Sequence, residues 1–417
     1  MNHDAIDELE NTSLVHKLRN VEYLTFCMIG VGLLWPWNCI LSAVLYFRHD
    51  MFQDVTTWAK IFASTMMAVS TIASLAFNVW LASRQSSYPQ RVVRGLVWQV
   101  LAFVVLTLIC LIHEVLPMWF SFIFIMILVL MSAVSTALTQ NGILAIANVF
   151  GSEYSQAVML GQAVAGVLPS VVLLLLSFGN NHAETGRDQS KLGILFYIMT
   201  TAMVCGACIF LFRQTGIGEK FTAIMTEEGI DIDRDDEKVP FGVLFEKLRY
   251  LVLSIFLTFV VTLIFPVFAS TIKSVGFKID DSHYMPLIFT LWNLGDLYGR
   301  VLADLPYFQD ESFTPLKTFV YSALRLLHIP LFLYFVKTQN GHSILLDLGY
   351  MLLQFIFGVT NGHTISLSFM KVPHVLKSDV EKEAAGGFTN IFVSVGLACG
   401  SLLSYLFVFI ISSITHT

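Results

Sequence analysis

Residues 118–149 read MWFSFIFIMILVLMSAVSTALTQNGILAIANV, a run without a single charged side chain. A helix needs about 20 apolar residues to cross the hydrocarbon of a bilayer, and only helices or closed barrels satisfy every backbone group there. This run exceeds that length and lacks the short alternating pattern of a barrel strand, so it reads as a spanning helix. Scanning outward with the same length finds ten further candidates. They lie near residues 22–46, 57–83, 95–113, 157–178, 192–212, 247–270, 284–303, 315–336, 344–369 and 387–413. The chain is therefore expected to be an all-α polytopic membrane protein with eleven transmembrane helices.

The bulk composition agrees. Of 417 residues, 56% are hydrophobic and 13% charged, with a mean hydropathy of +0.71. A soluble chain carries roughly a quarter charged residues. The net charge of −6 is spread over many loops, and no basic block points to nucleic acid. The expected organisation is a polar tail (1–21), a six-helix half (22–212), an acidic linker (213–246) and a five-helix half (247–417). The stretch from Arg213 to Pro240 holds Glu227, Glu228, Asp231, Asp233, Arg234, Asp235, Asp236 and Glu237 and reads as unable to bury itself. With the N-terminus in the cytosol, 15 Lys and Arg residues face inward and 7 outward, while Arg300 and Arg325 stay inside spans. That bias sets the N-terminus cytosolic and, with an odd number of spans, the C-terminus lumenal or outside. The polar first twenty residues exclude a cleavable signal peptide, and the one sequon, at Asn11, falls on the cytosolic side. All six cysteines lie in apolar segments. Cys205 and Cys208 form a C-x-x-C with no second metal pair, which reads as packing.

Polar groups at membrane depth are costly and mark cavities or helix contacts. In the eighth span Asn293, Asp296 and Arg300 fall at i, i+3 and i+7, on one helical face, and Asp296 can pair with Arg300. Such a pair either grips a ligand offering both donors and acceptors, as a sugar diol does, or simply locks two helices. Gly295 and Gly299 form a small-residue strip on another face. In the first span Leu34, Trp37, Asn38 and Leu41 make a stripe around Pro36, which is expected to kink the helix. Trp37 there can stack on a flat base or serve as packing, and Asn38 can bond polar edges or close a gate. In the fourth span Thr136 and Gln140 lie one turn apart, and the amide suits a ring nitrogen or carbonyl as well as it suits a helix bridge. Gly161, Gln162, Ala165 and Gly166 in the fifth span, with Gly396 and Gly400 in the eleventh, read as packing strips. His363, Arg325 and His328 read as structural.

Several of these runs together resemble the equilibrative nucleoside transporter family. They are Leu34-x-Pro36-Trp37-Asn38, Gln140, Gly161-Gln162-x-x-x-Gly166, Asn293-x-x-Asp296-x-x-Gly299-Arg300 and Asn361-Gly362. Leu33 to Cys39 and Ala384 to Asn390 look closest to the fungal vacuolar branch of that family. The resemblance implies a major-facilitator-like six-plus-five arrangement with solute held between the halves. It also implies that Asp296 and Arg300 bind the ribose hydroxyls, Gln140 bonds the base, Trp37 flanks it and Leu397 lines the wall. Leu41, Pro266, Phe289 and Asn293 would form a gate, with Asn38 nearby. The chain departs from animal members at Thr136 (glycine there), at Leu41 (methionine in some) and at the wall positions Thr71 and Ser74 (larger and apolar there). Those changes imply a range widened toward free bases.

No G-x-x-x-x-G-K-[ST] run offers an ATP site, and no paired intramembrane carboxylates or H-E-x-x-H suggest an enzyme. A seven-span receptor fails on span count. Proton coupling needs a carboxylate free to change charge, which Asp296 beside Arg300 is not. The expectation is a cofactor-free uniporter for purine and pyrimidine nucleosides, extending to nicotinamide riboside, with the lipid bilayer as its surroundings and no obligate protein partner. A proton-coupled carrier of another polar solute is the alternative.

Overall fold

The computed structural model describes residues 17, 19–179, 191–227, 238–310, 312–338, 341 and 343–415. The sequon and most of the acidic stretch (228–237) lie outside the described residues. Eleven helical segments run back and forth. They are α1 (Val21–Ser42), α2 (Thr57–Ala82), α3 (Tyr88–Ile112), α4 (Met118–Phe150), α5 (Ser152–Gly179) and α6 (Lys191–Gln214), followed by α7 (Phe241–Thr262), α8 (Asp281–Leu302), α9 (Pro315–Lys337), α10 (Ile344–Met370) and α11 (Asp379–Thr415). Among the described residues ten segments are long and apolar enough to cross a membrane. The exception is α8, whose apolar character is diluted by Asn293, Asp296 and Arg300.

Side-chain oxygens cap several starts: Asn20 accepts from Glu22 N at α1, and Thr56 from Ala59 N at α2. Pro36 sits inside α1, which runs on to Ser42 and resumes as Val44–Tyr46 and a π-helical turn, Phe47–Met51. Prolines interrupt two other spans. Pro266 cannot donate to Thr262, and α7 gives way there to a separate helix, Phe265–Thr271. Pro330 cannot donate to Leu326, and α9 passes through a 3₁₀ turn at Arg325–Leu327. The loop after α7 is pinned by Asp347 of α10, whose carboxylate accepts from Ser274 Oγ (2.7 Å) and from the N–H groups of Val275, Gly276 and Phe277 (2.8–3.0 Å).

One part of the linker differs from expectation. Residues Ile217–Glu227 form a helix that buries Ile217, Phe221 and Met225 against the first half, because these fall at i, i+4 and i+8. Only its other face is polar. Cys205 and Cys208 are buried free thiols, and Cys208 lies against Met28 O at 3.1 Å, a packing role.

The two halves repeat. In the first, α1 packs on α5 and α2 on α4; in the second, α7 packs on α11 and α8 on α10. Across the halves α5 meets α8 and α10, and α11 meets α2 and α4, two sets that exchange under a shift of six helices. A pseudo-two-fold axis therefore runs between the halves; among the described residues no helix of the second half matches α6. Two of the pairings are backbone to backbone. A Cβ on Gly161 would lie 1.9 Å from Cys27 O, and one on Gly362 would lie 1.9 Å from Asp296 O.

Candidate functional site

A cavity of about 260 Å³ lies where the halves meet. Its volume is close to the low end of the roughly 300–1,000 Å³ usual for small-molecule sites. Two helices of the first half present polar ladders to it. Ser70, Ser74 and Asn78 on α2, and Ser132, Thr136 and Gln140 on α4, are each spaced i, i+4, i+8, so each ladder faces one way. Thr71 and Gln162 add further polar groups. Trp37, Leu34, Phe259, Leu263 and Leu397 also line it. Among the described residues Ser70, Thr71, Ser74, Thr136, Gln140 and Gln162 have side chains without a protein hydrogen bond and none is sealed from the cavity. Elsewhere in the same helices such groups are consumed locally: Ser135 donates to Met131 O at 2.7 Å and Thr139 to Ser135 O at 3.0 Å. The cavity thus combines free donors and acceptors with flat and branched apolar surface.

One end of the cavity is sealed. Asn78 Nδ2 donates to Ser394 Oγ at 2.7 Å, joining α2 to α11 across the halves. Beneath that bond Gly387 presses on Ala82 and Asn141, and Asn148 Nδ2 donates to Lys382 O at 3.1 Å. Lys17 pairs with Asp304 at 2.8 Å. All these contacts lie at the end where α6 finishes and α7 begins, here termed the linker end. At the opposite, distal end the described cross-half contacts lie along α5 and α8, with Thr290 Oγ1 donating to Ser170 O (3.0 Å) and Phe178 stacked on His283 (5.5 Å).

The sequence-predicted residues separate into two groups. Trp37, Thr71, Ser74, Thr136, Gln140 and Leu397 all line the cavity. Asp296 and Arg300 do not line it; they sit buried in the α5–α8–α10 seam. Arg300 Nε donates to Asp296 Oδ2 at 2.9 Å, and Asn361 Nδ2 donates to Asp296 Oδ1 at 2.6 Å. Arg300 Nη1 donates across the halves to Met159 O at 2.6 Å, and Gln156 Nε2 returns a bond to Arg300 O at 3.2 Å. Among the described residues the Nη2 nitrogen of Arg300 has no protein partner. The chain of bonds continues: Thr262 donates to Asn361 Oδ1, and the fully buried Arg325 donates to Thr262 Oγ1 (3.4 Å) and Thr258 O (3.0 Å) over the ring of Phe357. His328 meets Arg325 only through its carbonyl.

The five expected gate residues also lie off the cavity. Asn38 Nδ2 donates to Ala165 O at 2.7 Å, and Asn293 Nδ2 to Phe289 O at 2.9 Å with its Oδ1 against Gly166. Phe289 meets Phe265 edge-on at 5.1 Å, and Pro266 and Leu41 are exposed toward the distal end. Sequence reasoning passed over Ser70, Asn78, Ser132 and Ser394, although the i, i+4 spacing on α2 and α4 was there to find. It also placed Gln162 in a packing strip; the structure puts it on the cavity, because the glycines beside it face α1 and α8 while its own side chain turns inward.

Comparison with known proteins adds a lineage to this geometry. A family model described as "Nucleoside transporter" matches residues 124–228 and 218–409. The chain is 53% identical to Nucleoside transporter FUN26 of Saccharomyces cerevisiae, covering 98% of this chain and 88% of that protein. The chain belongs to the nucleoside transporter family. The transporter is also 23% identical to human Equilibrative nucleoside transporter 1, over 92% of this chain and 96% of the relative. Its fold resembles a bacterial homologue of the iron transporter ferroportin (TM-score 0.62, 13% identity, 95% and 96% covered) and the Escherichia coli fucose:proton symporter FucP (TM-score 0.54, 12% identity, 94% and 97% covered). FucP is described as a major facilitator superfamily transporter in a second structure of it (TM-score 0.55, 13% identity), so the fold is major-facilitator-like. The transporter is an integral membrane carrier and not an enzyme.

Proposed function

We propose that the transporter moves nucleosides by facilitated diffusion, the two halves rocking about the 260 Å³ cavity. The observation that carries this reading is one cavity lined both by polar side chains free of protein hydrogen bonds, Ser70, Ser74, Thr136 and Gln140, and by Trp37, Phe259 and Leu397. A nucleoside is flat and apolar on its base faces and polar around its edges, and it fills both requirements at once. Trp37 flanks the base, Gln140 and Thr136 bond its edge, and Thr71 and Ser74 give room and hydroxyls that admit free bases and nicotinamide riboside. Asn38, Leu41, Pro266, Phe289 and Asn293 act at the distal gate. Asp296 and Arg300 reach the ribose when Arg300 exchanges its bond to Met159 O for a hydroxyl, so that solute and seam compete for one guanidinium. The membrane is vacuolar, with the N-terminus cytosolic and the C-terminus lumenal.

Counterflow of labelled adenosine in proteoliposomes tests the class, with amino acids and hexoses as controls; uptake should ignore collapse of a pH gradient. Arg300→Ala tests the ribose contact. If the guanidinium reads ribose, uridine transport is lost while uracil transport persists. Equal loss of both would reduce the pair to a helix lock.

A further inference from the structure

A second space, of about 640 Å³, opens at the linker end between the start of α3, the end of α6 and the helix Ile217–Glu227. Arg94 and Arg213 both line it, with Glu219 as its single acid, so it carries an excess of positive charge. Both arginines are exposed, and neither guanidinium has a hydrogen bond or ion pair among the described residues. Gly216 (φ +64°) turns the chain from α6 into the short helix, and a Cβ on Gly218 would lie 3.2 Å from Pro89, so small residues set the shape of the groove. Phe212, Val93 and Ala223 supply apolar walls.

A second, independent feature continues from this groove. On α3, Arg94 ends a stripe of exposed apolar side chains, Trp98, Leu101 and Leu108. On the adjacent α6, Arg213 ends a stripe formed by Phe196 (73% exposed), Met203 (69%) and Phe210 (64%), at heptad spacing. In a spanning helix such faces meet acyl chains. Each stripe therefore runs from hydrocarbon depth up to an unpaired guanidinium at the bilayer surface, the arrangement of a lipid with its headgroup in place.

We propose that this groove binds an anionic glycerophospholipid of the linker-side leaflet, its phosphate held by Arg94 and Arg213 and its chains lying along the α3 and α6 stripes. Basic pockets between spanning helices take such headgroups, and guanidinium forks match phosphate oxygens. The site is separate from the solute cavity, with which it shares no lining residue.

Native mass spectrometry of the full-length transporter with phosphatidylinositol or phosphatidylcholine tests it. The wild type should retain the anionic lipid preferentially. Each arginine-to-glutamine change should lower that preference roughly fivefold and the R94Q/R213Q pair about 25-fold. Arg249→Gln, at an exposed arginine stacked on Tyr250 outside the groove, should leave it intact. Uridine transport by the double variant in pure phosphatidylcholine liposomes reports that it is folded. No anionic preference in the wild type, or full preference in a folded double variant, overturns the proposal. Displacement of the lipid by millimolar inorganic phosphate would also overturn it, by showing that the groove takes free phosphate.

Discussion

Asp296 receives one hydrogen bond on each carboxylate oxygen, from a guanidinium on its own helix and from an amide on α10. Removing one member of such a buried pair leaves the other uncompensated, at a cost of about 3–5 kcal/mol. Asp296→Ala should therefore lower the thermal midpoint of the purified transporter as well as abolish uridine counterflow. Asp296→Asn, which keeps the shape and a partner for Asn361, should recover most of the stability and little of the transport. Midpoints and counterflow measured on the same preparations check both, and an unshifted midpoint in Asp296→Ala would contradict the geometry. The i, i+4 spacing made the ion pair legible from sequence. It fixed the shared face of Asp296 and Arg300 but not what that face meets, because Asn361 and Met159 arrive from other helices. The serines of α2 and α4 were illegible for a different reason. A serine in a membrane helix commonly bonds its own preceding turn, as Ser135 does, and sequence does not say which ones, such as Ser70 or Ser74, are left free.

At the scale of helices, α8 and α10 touch through backbone. A Cβ on Gly299 would stand 2.1 Å from Val359 O, with no flexible side-chain tip to move aside. Overpacking ordinarily costs about 1–3 kcal/mol, and here two helices must part. Gly299→Ala should thus reduce the folded, monodisperse fraction seen by size-exclusion chromatography, whereas Gly242→Ala, where a Cβ meets nothing within 4 Å, should not. The small-residue strips announced such contacts in the sequence; which helix each would meet depended on topology. The amphipathic stripe of Ile217, Phe221 and Met225 was readable too, but the acidic residues after it masked it. The turn after α8 adds a pH term. Burial raises the Asp304 carboxyl above the ordinary carboxylate range, and the Lys17 ammonium only partly opposes this. A raised value means that the contribution to stability is full below the ordinary carboxylate pKa and is lost as pH rises through the raised one. The Asp304 contribution to folding stability should accordingly grow with acidification. Asp304→Asn should flatten this part of the dependence of the thermal midpoint on pH, and an unchanged profile would assign it to another group.

For the molecule as a whole, the pseudo-two-fold makes α2–α11 the counterpart of α5–α8, and the described contacts close the first of these at the linker end. Alternating access requires that seal to part while the α7–α11 and α2–α4 pairings within each half persist. Between α2 and α11 it includes the close approach of Gly387 to Ala82. A Cβ on Gly387 would lie 3.3 Å from the Ala82 Cβ, near the roughly 3.5–4.5 Å that a disulfide needs. The Asn141 amide tip, 2.6 Å from the same point and itself unbonded at Nδ2, has to rotate away. An Ala82→Cys/Gly387→Cys transporter should form the bridge under mild oxidation, since five of the six native cysteines are buried and compete poorly. Once bridged, it should still bind nucleoside from the distal side, yet its counterflow should fall to background and return with reductant. Full counterflow through a completely bridged protein would mean that solute passes without the halves separating at α2 and α11, and the rocking motion would have to be placed elsewhere.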